Sequence, residues 1–310
     1  MPVHNRFNFV HEAIESVYSQ GYRPLELIVV DDLSDDPYVP KIACQPGFEI
    51  KVVRHEHNRG PGASRETGRQ AAHGDYIAFL DSDDLWHPEI LSKQVAILQA
   101  HPEAGMCYCQ TILFSKLPLT GDEPFRKNSN VKFTEFLPIV LDVRPWCTSS
   151  CLWTSGAVER IGPWFDGWHY EDVEYDVRAG CLDVKIAYLP EALCYYRLSI
   201  DGGSLSNSSS KFSVSQQVRS LLQIGKNLKQ CNKIKDNEIS GFFIKRLFKT
   251  AFEAINCGDR KSASKLFWNM IGCSKDIKKK LLALLLMCTC MVFPASFMDS
   301  IKYRIKAIFL

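Results

Sequence analysis

The sequence predicts an α/β fold with a mostly parallel sheet flanked by helices, followed by a helical C-terminal extension. Strand-like and helix-like segments alternate over residues 1–200, which is the pattern of a parallel sheet with helical crossovers. From about residue 212 the chain consists of long segments with helical periodicity. We therefore predict two regions, an α/β domain at residues 1–210 and a helical region at residues 211–310.

The elements of the α/β domain follow from the spacing of its apolar residues. Residues 9–20 place Val10, Ile14, Val17 and Tyr18 on one face of a helix, and residues 25–31 are too apolar for a half-exposed strand. Further strands are predicted at 48–55, 75–81, 105–114, 185–190 and 192–198, and further helices at 62–73, at 87–102 and from Glu171 onwards. The polar segment 199–211 is predicted to be a loop.

The composition is that of an ordinary globular protein, with 46% hydrophobic residues and a net charge of +2 over 310 residues. So small a charge gives no support for nucleic acid as a partner, since that would need a concentrated basic face. The twelve cysteines form neither a CxxC pair nor a Cys/His cluster at zinc spacing. Because the N-terminus shows no secretory signal pattern, we expect reduced thiols, mostly in the core of a cytosolic protein.

Two acidic segments, DDLSDD at 31–36 and DSDD at 81–84, each follow a predicted strand directly. In open sheets of parallel strands, ligands bind beyond the carboxyl ends of the strands. Both segments are therefore expected to border a ligand crevice. The alternative is that these aspartates and serines only make turns and cap the next helix.

The second acidic segment places three carboxylates, those of Asp81, Asp83 and Asp84, within four residues. Like charges so close together repel one another and raise their pKa values unless a cation joins them. Carboxylate oxygens suit Mg²⁺ or Mn²⁺, which share their coordination with substrate phosphates. Such a cation would stabilise a leaving diphosphate as a Lewis acid.

The segment HNRGPGASRETGR at 57–69 combines glycines, which permit close backbone approach, with Arg59, Arg65 and Arg69, which suit phosphate. It matches neither the Walker loop nor the dinucleotide fingerprint, which argues against a P-loop enzyme and a nicotinamide dehydrogenase. A nucleotide diphosphate substrate stays compatible with it. Further along, Glu171 and Asp172 open a predicted helix, where acidic residues are also favoured by the helix dipole alone.

Five segments stand in a recognisable order: PVHNR at 2–6, LELIVVDDLSDD at 25–36, NRGPGASRETG at 58–68, GDYIAFLDSDDLW at 74–86 and HYEDVEYDVRAG at 169–180. In this order and spacing the chain resembles family 2 inverting glycosyltransferases of the GT-A fold, of the bacterial cell-surface polysaccharide type. The resemblance covers roughly residues 1–205. It implies that a sugar is transferred from a nucleotide diphosphate sugar to an acceptor hydroxyl with inversion at the anomeric carbon.

The resemblance also implies a role for each matching residue. The residues assigned to the nucleotide sugar are Pro2, Asp31, Asp32, Arg65 and Asp81. Among them, Asp32 with its neighbour Asp31 would hold the nucleobase or ribose, and Arg65 would lie near the nucleotide. Asp81 and Asp83 form the Asp-x-Asp pair that would meet the ribose and the Mg²⁺ or Mn²⁺ diphosphate. Asp172 would be the general base that deprotonates the acceptor hydroxyl, with Glu171 assisting in acceptor binding.

Two departures from the family pattern stand out. Family members usually begin with an apolar strand that leads into the segment matching PVHNR, whereas here that segment follows Met1 directly. We therefore expect the sheet to lack a central strand and part of the nucleotide pocket wall. Many relatives also place a histidine two residues beyond the arginine of CYYR (194–197), where this chain has Ser199, which puts metal affinity in question.

The C-terminal segment contains an apolar run from Leu281 to Met298 that is interrupted by Pro294. Its length is near the lower limit for a membrane span. Basic residues flank it on both sides, at 278–280 and at 302, 304 and 306. This arrangement favours a helix lying in an anionic membrane surface, with a span, a hairpin or a buried soluble helix as alternatives.

The sequence as a whole favours a glycosyltransferase on the cytoplasmic face of the plasma membrane that acts on a glycan or lipid-linked acceptor. One alternative is a metal-dependent nucleotidyltransferase, which would need a basic, glycine-rich loop after the first strand, and HNRFN does not have that composition. A second alternative is an inactive relative that serves as a binding protein. The sequence does not identify the donor sugar, the acceptor or the oligomeric state.

Overall fold

The computed structural model describes residues 1–42, 45–198 and 210–309. Over these ranges the strands are β1 (Pro2–Val3), β2 (Leu25–Asp31), β3 (Phe48–Arg54), β4 (Tyr76–Ala78), β5 (Leu85–Trp86), β6 (Ala104–Phe114), β7 (Cys151–Thr154) and β8 (Lys185–Arg197). The helices are α1 (Phe7–Tyr18), α2 (Pro61–Ala71), α3 (Ile90–Ala100), α4 (Ile139–Asp142), α5 (Ser155–Ile161), α6 (Glu171–Cys181), α7 (Lys211–Gln230), α8 (Asn237–Asn256), α9 (Arg260–Cys273), α10 (Ile277–Val292) and α11 (Ala295–Phe309). Residues 199–209, which make up most of the predicted loop at 199–211 and include Ser199, lie outside the described residues.

The chain forms two compact units. Unit 1 consists of Met1–Phe136, Arg144–Asp166 and the described part of Asp183–Asp201. Unit 2 consists of Leu137–Val143, Gly167–Leu182 and the described part of Gly202–Leu310. The predicted division after residue 210 lies at the start of α7, but two earlier segments, with α4 and α6, also pack with the C-terminal helices.

Unit 1 contains two sheets, and together with its helices they confirm the predicted α/β class. The three-stranded sheet has the order β1-β2-β3 and is parallel throughout, with Pro2 opposite Val30 and Leu25 opposite Phe48. The five-stranded sheet has the order β4-β7-β6-β8-β5. In it β6 and β8 are parallel, whereas β4 with β7, β6 with β7 and β5 with β8 are antiparallel. The parallel arrangement predicted from the alternating elements thus extends only to part of the sheet structure.

Strand β8 replaces the two separate strands predicted at 185–190 and 192–198. Its register against β6 shifts between Leu189, which is opposite Cys109, and Ala192, which is opposite Gln110. Pro190 and Glu191 are therefore the additional residues of a β-bulge, a position that proline tolerates because it has no N–H to donate to a ladder. The proline that suggested a strand end thus lies inside one continuous strand.

The core of unit 1 is built as the apolar periodicity predicts. Val10, Ile14 and Val17 of α1 are at most 2% exposed, as predicted for this face, whereas Tyr18 at the end of the helix is half-buried. The final five residues of β2, 27–31, are all buried because α2 and the neighbouring strands β1 and β3 pack against this strand. Seven of the described cysteines are buried, and no disulfide joins the cysteines in the described ranges, in agreement with the predicted core thiols.

A cavity of about 830 Å³ lies inside unit 1, between the edge of β2 and the edge of β4. Its lining includes Leu27 and Ile28 from β2, Ile77 from β4, and Met1. The Met1 ammonium is buried there and donates a hydrogen bond to the Ile28 carbonyl at 2.8 Å. Among the described strands, the two-residue β1 is the one that pairs with β2 on this side, at Val30 and Asp31.

Unit 2 is helical in its C-terminal part, as predicted for residues 211–310. The apolar run 281–298 does not form one helix, because α10 ends at Val292 and α11 begins at Ala295 after Phe293 and Pro294. Proline cannot continue a helix across the preceding turn, which explains the break. Within the described ranges, we find no helix whose length and hydropathy would let it traverse a bilayer.

Candidate active site

The acidic loop, residues 81–84, follows β4, and its innermost member is Asp84. This residue is 1% exposed and accepts hydrogen bonds from Ser149 Oγ at 2.6 Å and from the backbone N–H of Arg197 at 3.0 Å. Burial raises the pKa of the Asp84 carboxyl well above its usual range, and nearby negative charges add to this effect. Ser149 Oγ also accepts a hydrogen bond from Asp81 N at 3.1 Å. Asp84 therefore fixes the loop from inside rather than offering its carboxylate to a ligand.

Asp83 is half-buried in the same loop. Burial, and then repulsion from Asp81, raise the pKa of the Asp83 carboxyl, while the Arg6 charge opposes this rise. The Arg6 guanidinium is 3.6 Å from Asp83 Oδ2, and both side chains keep 34–40% of their surface exposed. Asp83 thus has an incompletely compensated negative charge at an accessible position, which is the condition under which a carboxylate gains most from a bound cation.

Asp81 makes a close ion pair with Arg65 of α2. The Arg65 guanidinium donates to Asp81 Oδ1 at 2.6 Å and lies 5.0 Å from the ring centroid of Trp164. The Arg65 side chain is only 5% exposed, whereas that of Asp81 is 28% exposed. Arg65 and Asp81, which were predicted to bind the same nucleotide, are therefore in direct contact, with Asp81 at the accessible end of the pair.

Arg197, at the end of β8, holds the acidic loop from the other side. Its Nε donates to the Asp83 carbonyl at 2.8 Å, and its guanidinium also pairs with Glu12 of α1. The same guanidinium lies 4.5 Å from the ring centroids of both Phe9 and Phe114. Since the planar guanidinium combines ring stacking with several donors, it fixes the backbone of the loop in one geometry.

Asp31, the last residue of β2, is committed to its own loop. Its carboxylate accepts hydrogen bonds from the backbone N–H groups of Ser34 at 2.8 Å and Tyr38 at 3.1 Å, and from Arg54 at 2.5 Å. Burial alone would raise the pKa of Asp31, but these hydrogen bonds outweigh burial and lower it. Asp31 therefore stays ionised and shapes the segment 31–38.

Asp32 connects β2 to the glycine-rich segment at 57–69. It accepts hydrogen bonds from the backbone N–H groups of Arg59 at 2.9 Å and Gly60 at 2.7 Å, and it is 2.7 Å from His55 Nδ1. Gly60 has φ 88°, a conformation that favours glycine, and it directly precedes α2. A carboxylate offers about four acceptor positions, so one position of Asp32 is left for a ligand.

The segment PVHNR packs against the first acidic segment. Pro2 is half-buried in β1, and Asn5 and Arg6 both adopt left-handed backbone angles, with φ 58° and 56°. Asn5 N donates to Ser34 Oγ at 2.8 Å, and His4 Nδ1 is 3.0 Å from the Asp32 carbonyl. The two turns after β1 and β2 are therefore bonded to each other, and they bring Pro2 and Arg6 to the same edge as Asp32.

A preformed metal site would require several ligands in one place. In the ranges that the structure describes, no three side chains of His, Cys, Asp or Glu are grouped as such a site. Asp81 and Asp83 provide two carboxylates, and Mg²⁺ is often held by one or two carboxylates together with substrate phosphates and water. The pair therefore fits a hard divalent cation that binds together with its substrate.

The predicted catalytic pair lies in unit 2, at the start of α6. Glu171 is buried, Asp172 is half-buried, and Asp172 Oδ1 accepts a hydrogen bond from Val173 N at 2.8 Å. Burial lowers the pKa of the preceding His169, against the attraction of Asp172. Neutral His169 thus adds no positive charge to this helix start.

Glu174, the third acidic residue of this turn, has a structural role. Its carboxylate accepts hydrogen bonds from Arg178 Nε at 2.9 Å and Asn227 Nδ2 at 2.8 Å, and the residue is 1% exposed. Asn227 belongs to α7, so Glu174 joins α6 to α7. Asp172, in the same turn, is half-buried and so more exposed than Glu174.

The structure gathers the predicted donor residues in unit 1 and places Glu171 and Asp172 in unit 2. Of the arginines predicted to suit phosphate, Arg65 meets the acidic loop, whereas Arg69 is paired with Glu66 at 2.7 Å. The sequence analysis missed the residues that position the acidic loop, namely Arg6, Glu12, Ser149 and Arg197. Of these, Arg6 ends the PVHNR segment and Arg197 ends CYYR, whereas Glu12 and Ser149 belong to none of the motifs singled out in the sequence.

Comparison with known proteins agrees with the resemblance to family 2 glycosyltransferases found in the sequence. Residues 1–142 match the family model described as glycosyl transferase family 2. An uncharacterized glycosyltransferase of Rickettsia conorii is 40% identical over 100 residues, which are 32% of this chain and 16% of that protein. An uncharacterized glycosyltransferase of a Nostoc species is 26% identical over 230 residues, which are 70% of this chain and 68% of that protein. The chain thus spans about a sixth of the Rickettsia relative and about two thirds of the Nostoc relative.

Solved structures show the same fold at low sequence identity. The crystal structure of S. aureus TarS residues 1–349 has a TM-score of 0.59 and 18% identity, covering 92% of this chain and 88% of that one. A Pyrobaculum calidifontis mannosyltransferase, solved with GDP-Man and Mn²⁺, has a TM-score of 0.51 and 14% identity, covering 97% of this chain and 82% of that one. Residues 1–142 are thus similar to glycosyl transferase family 2, and the chain shares the GT-A fold of these solved glycosyltransferases.

Proposed function

We propose that this protein transfers a sugar from a nucleotide diphosphate sugar to an acceptor hydroxyl, with inversion at the anomeric carbon. The observation that carries the proposal is the acidic loop, in which Asp81 is paired with Arg65 while Asp83 keeps an accessible, incompletely compensated carboxylate. The match of residues 1–142 to the family model supports it, and TarS, with the same fold, has been solved in complex with UDP-GlcNAc.

The donor would be held by residues of unit 1. Asp32 has one acceptor position left for a nucleobase or ribose, with Asp31 and Pro2 shaping the surrounding turns. Arg65 orients Asp81 towards the ribose, and Asp83 with Asp81 would hold Mg²⁺ or Mn²⁺. When bound, that cation would neutralise charge developing on the leaving diphosphate. Arg6 lies beside Asp83 and can turn its guanidinium to the phosphates.

The transfer itself is a single displacement. The acceptor oxygen forms a bond to the anomeric carbon while the bond from that carbon to the diphosphate oxygen breaks, and the bonding electrons leave with the diphosphate. Asp172 accepts the proton of the acceptor hydroxyl, and Glu171 helps to bind the acceptor. A general base in such a step contributes about 10²–10⁴-fold to the rate.

The biological setting belongs to the same proposal. The succinoglycan biosynthesis protein ExoO of Rhizobium meliloti is 37% identical over 92 residues, which are 30% of this chain and 26% of that protein. This similarity supports a role in cell-surface polysaccharide or lipopolysaccharide synthesis, with a glycan or lipid-linked acceptor. Such an acceptor is reached from the cytoplasmic face of the plasma membrane, and a peripheral position there agrees with the apolar C-terminal helices.

The first experiment measures donor binding. Melting temperatures are recorded with UDP, GDP, dTDP and CMP sugars, with and without Mn²⁺, for the unmodified protein, Asp83→Asn and the exposed control Asp122→Asn. A donor at ~100 times its Kd should stabilise the protein by about 2.7 kcal/mol. We expect one nucleotide to stabilise only with metal, in the unmodified and control proteins. Metal-dependent stabilisation that survives in Asp83→Asn would contradict the metal assignment, and no response to any donor would contradict the proposal.

The second experiment separates binding from chemistry. With the stabilising donor identified, transfer to a panel of glycan and lipid-linked acceptors is followed by mass spectrometry. Asp172→Asn should keep the donor-induced melting shift and lose transfer by about 10²–10⁴-fold. Full transfer by this variant would show that Asp172 is not the base. Donor binding without transfer to any acceptor, by the unmodified protein, would favour an inactive binding protein.

A further inference from the structure

Helix α10 presents an apolar face to solvent. We define the α10 outer face as its solvent-exposed apolar residues, Ile277, Leu281, Leu284, Leu285, Cys288, Met291 and Val292. Those other than Cys288 are 42–74% exposed. At 3.6 residues per turn, the seven positions fall within an arc of about 120°. The opposite side of α10, with Ala283, Leu286 and Cys290, is fully buried and packs against α9.

This distribution differs from that of an ordinary helix on a water-exposed surface, because the side of α10 that faces water is apolar. Such a helix normally turns its apolar stripe to the core and its polar residues to water. Here the inner side is apolar because it packs on α9, and the outer face is apolar as well. Contiguous exposed apolar surface of this kind marks an interaction site rather than random exposure.

The charges of α10 indicate the kind of partner. Its sequence, IKKKLLALLLMCTCMV, contains three lysines and no acidic residue. In helical projection Lys278 and Lys280 lie on opposite sides of the outer face, near its N-terminal end. Lysine can extend its aliphatic stem along apolar surface and keep its ammonium at a polar boundary. An apolar strip bordered by cations alone is complementary to an anionic headgroup layer above acyl chains.

The dimensions agree with a helix that lies in the surface. The 16 residues of α10 extend over about 24 Å, less than the ~30 Å hydrocarbon core that a spanning helix must cross. Directly after α10, Phe293 and Phe297 are each 41% exposed and stack with ring centroids 4.5 Å apart. These aromatic rings continue the exposed apolar surface beyond Val292.

We propose that α10 docks in the plane of an anionic lipid surface, with the α10 outer face in the acyl boundary and Lys278 and Lys280 at the phosphate headgroups. The proposal deepens the membrane-surface location given under the proposed function. It does not depend on sugar transfer, because the docking residues all belong to one helix of unit 2.

The test is flotation of the full chain with vesicles of phosphatidylcholine alone or with 30% phosphatidylglycerol. Binding to the anionic vesicles should be strong at low salt and weaken as salt increases. Replacing Lys278 and Lys280 by glutamine should weaken it about 25-fold, since each lysine near an anionic surface contributes about fivefold. The double variant Leu281→Gln/Leu285→Gln should weaken it on the order of a hundredfold, since about tenfold or more is lost per buried leucine.

Matched controls keep the result interpretable. Leu117 and Val131 are exposed to 46% and 44% in unit 1, so Leu117→Gln/Val131→Gln removes exposed apolar surface away from α10 and should bind vesicles normally. Because Leu281 and Leu285 are 62% and 58% exposed, their replacement should leave the circular dichroism spectrum unchanged. The metal-dependent donor shift should also persist in every variant, so a failed donor assay and a failed vesicle assay are distinguishable.

Three outcomes would overturn the proposal. One is that the unmodified protein does not float with the anionic vesicles at low salt. Another is that the double leucine variant floats as well as the unmodified protein. The last is a dimer in light scattering that dissociates in the double leucine variant without any vesicle binding, because the α10 outer face would then be an interface between two copies of the chain.

Discussion

In a chain that begins at Met1, the buried amine of this residue should make the stability of unit 1 depend on pH. Burial, and then the Arg65 charge, lower the pKa of this amine from 8.0 to about 5, although Asp81 acts in the opposite direction. Between these values the unfolded chain binds more protons at this amine than the folded chain does. The free energy of unfolding therefore rises from pH 5 to pH 8 on account of this group.

The size of the effect follows from the two pKa values. A difference of three pH units corresponds to about 4 kcal/mol at 1.36 kcal/mol per unit. For a unit of 150–250 residues, each kcal/mol changes the melting temperature by about 2–4 °C. The protonation of this amine should therefore change the melting temperature by about 8–16 °C. Acetylation of the Met1 amine removes the charge and keeps an N–H for the Ile28 carbonyl, and the cavity of about 830 Å³ has room for the acetyl group.

The assay compares chains that begin at Met1 with a free or an acetylated amine, both verified by mass spectrometry. Melting temperatures are measured by calorimetry at pH 5, 6, 7 and 8 with a chelator present. The acetylated chain should melt about 8–16 °C higher than the free chain at pH 5 and within about 2 °C of it at pH 8. A constant difference across this range would refute the reasoning, since it would show that the amine does not titrate between the two values.

Two further predictions concern the packing of unit 1. Gly105→Ala should destabilise it by about 1–3 kcal/mol, because the added Cβ would be 2.6 Å from Val184 Cγ1. Gly156→Ala in α5 is the matched control and should not destabilise the protein, since no atom lies within 4 Å of its added Cβ. Equal melting temperatures for the two alanine variants would contradict this. Ser149→Ala removes the hydrogen bond to buried Asp84 and should lower stability by about 1–3 kcal/mol and weaken donor binding. Unfolding in urea and the donor titration check both effects, and an unchanged donor affinity would show that the acidic loop keeps its geometry without Ser149.

The parts of the fold that the sequence predicted are those with a strong local signal. Strand β2 begins and ends at the predicted residues because its apolar run is continuous, and α6 begins at the predicted Glu171. Strand β5 contains only Leu85 and Trp86, and it is a strand because β8 pairs with it. Two residues are too few to show a periodic pattern, so the sequence did not predict this strand. Similarly, β8 crosses Pro190 because its partner β6 accommodates a bulge there.

The candidate site shows the same limit. The acidic residues were visible in the sequence because carboxylates cluster after strands, but their different surroundings were not. Asp84 and Asp83 are neighbours in sequence, yet one is sealed against Ser149 and the other is accessible beside Arg6. That difference arises from contacts with Ser149 and Arg6, which are distant in sequence from the loop. Ser149 is 65 positions from Asp84 and Arg6 is 77 positions from Asp83, so the sequence of the loop alone cannot reveal these contacts.

The contacts of Arg197 have a consequence for how the protein is made. This one side chain joins Glu12, the Asp83 carbonyl and the rings of Phe9 and Phe114, and its backbone N–H binds Asp84. During synthesis the acidic loop leaves the ribosome more than a hundred residues before Arg197 does. Because non-local contacts form only after the loop between them has closed, the donor site completes late in folding. The family-matched segment 1–142 ends before Ser149 and Arg197, so it lacks residues that hold its own acidic loop in place.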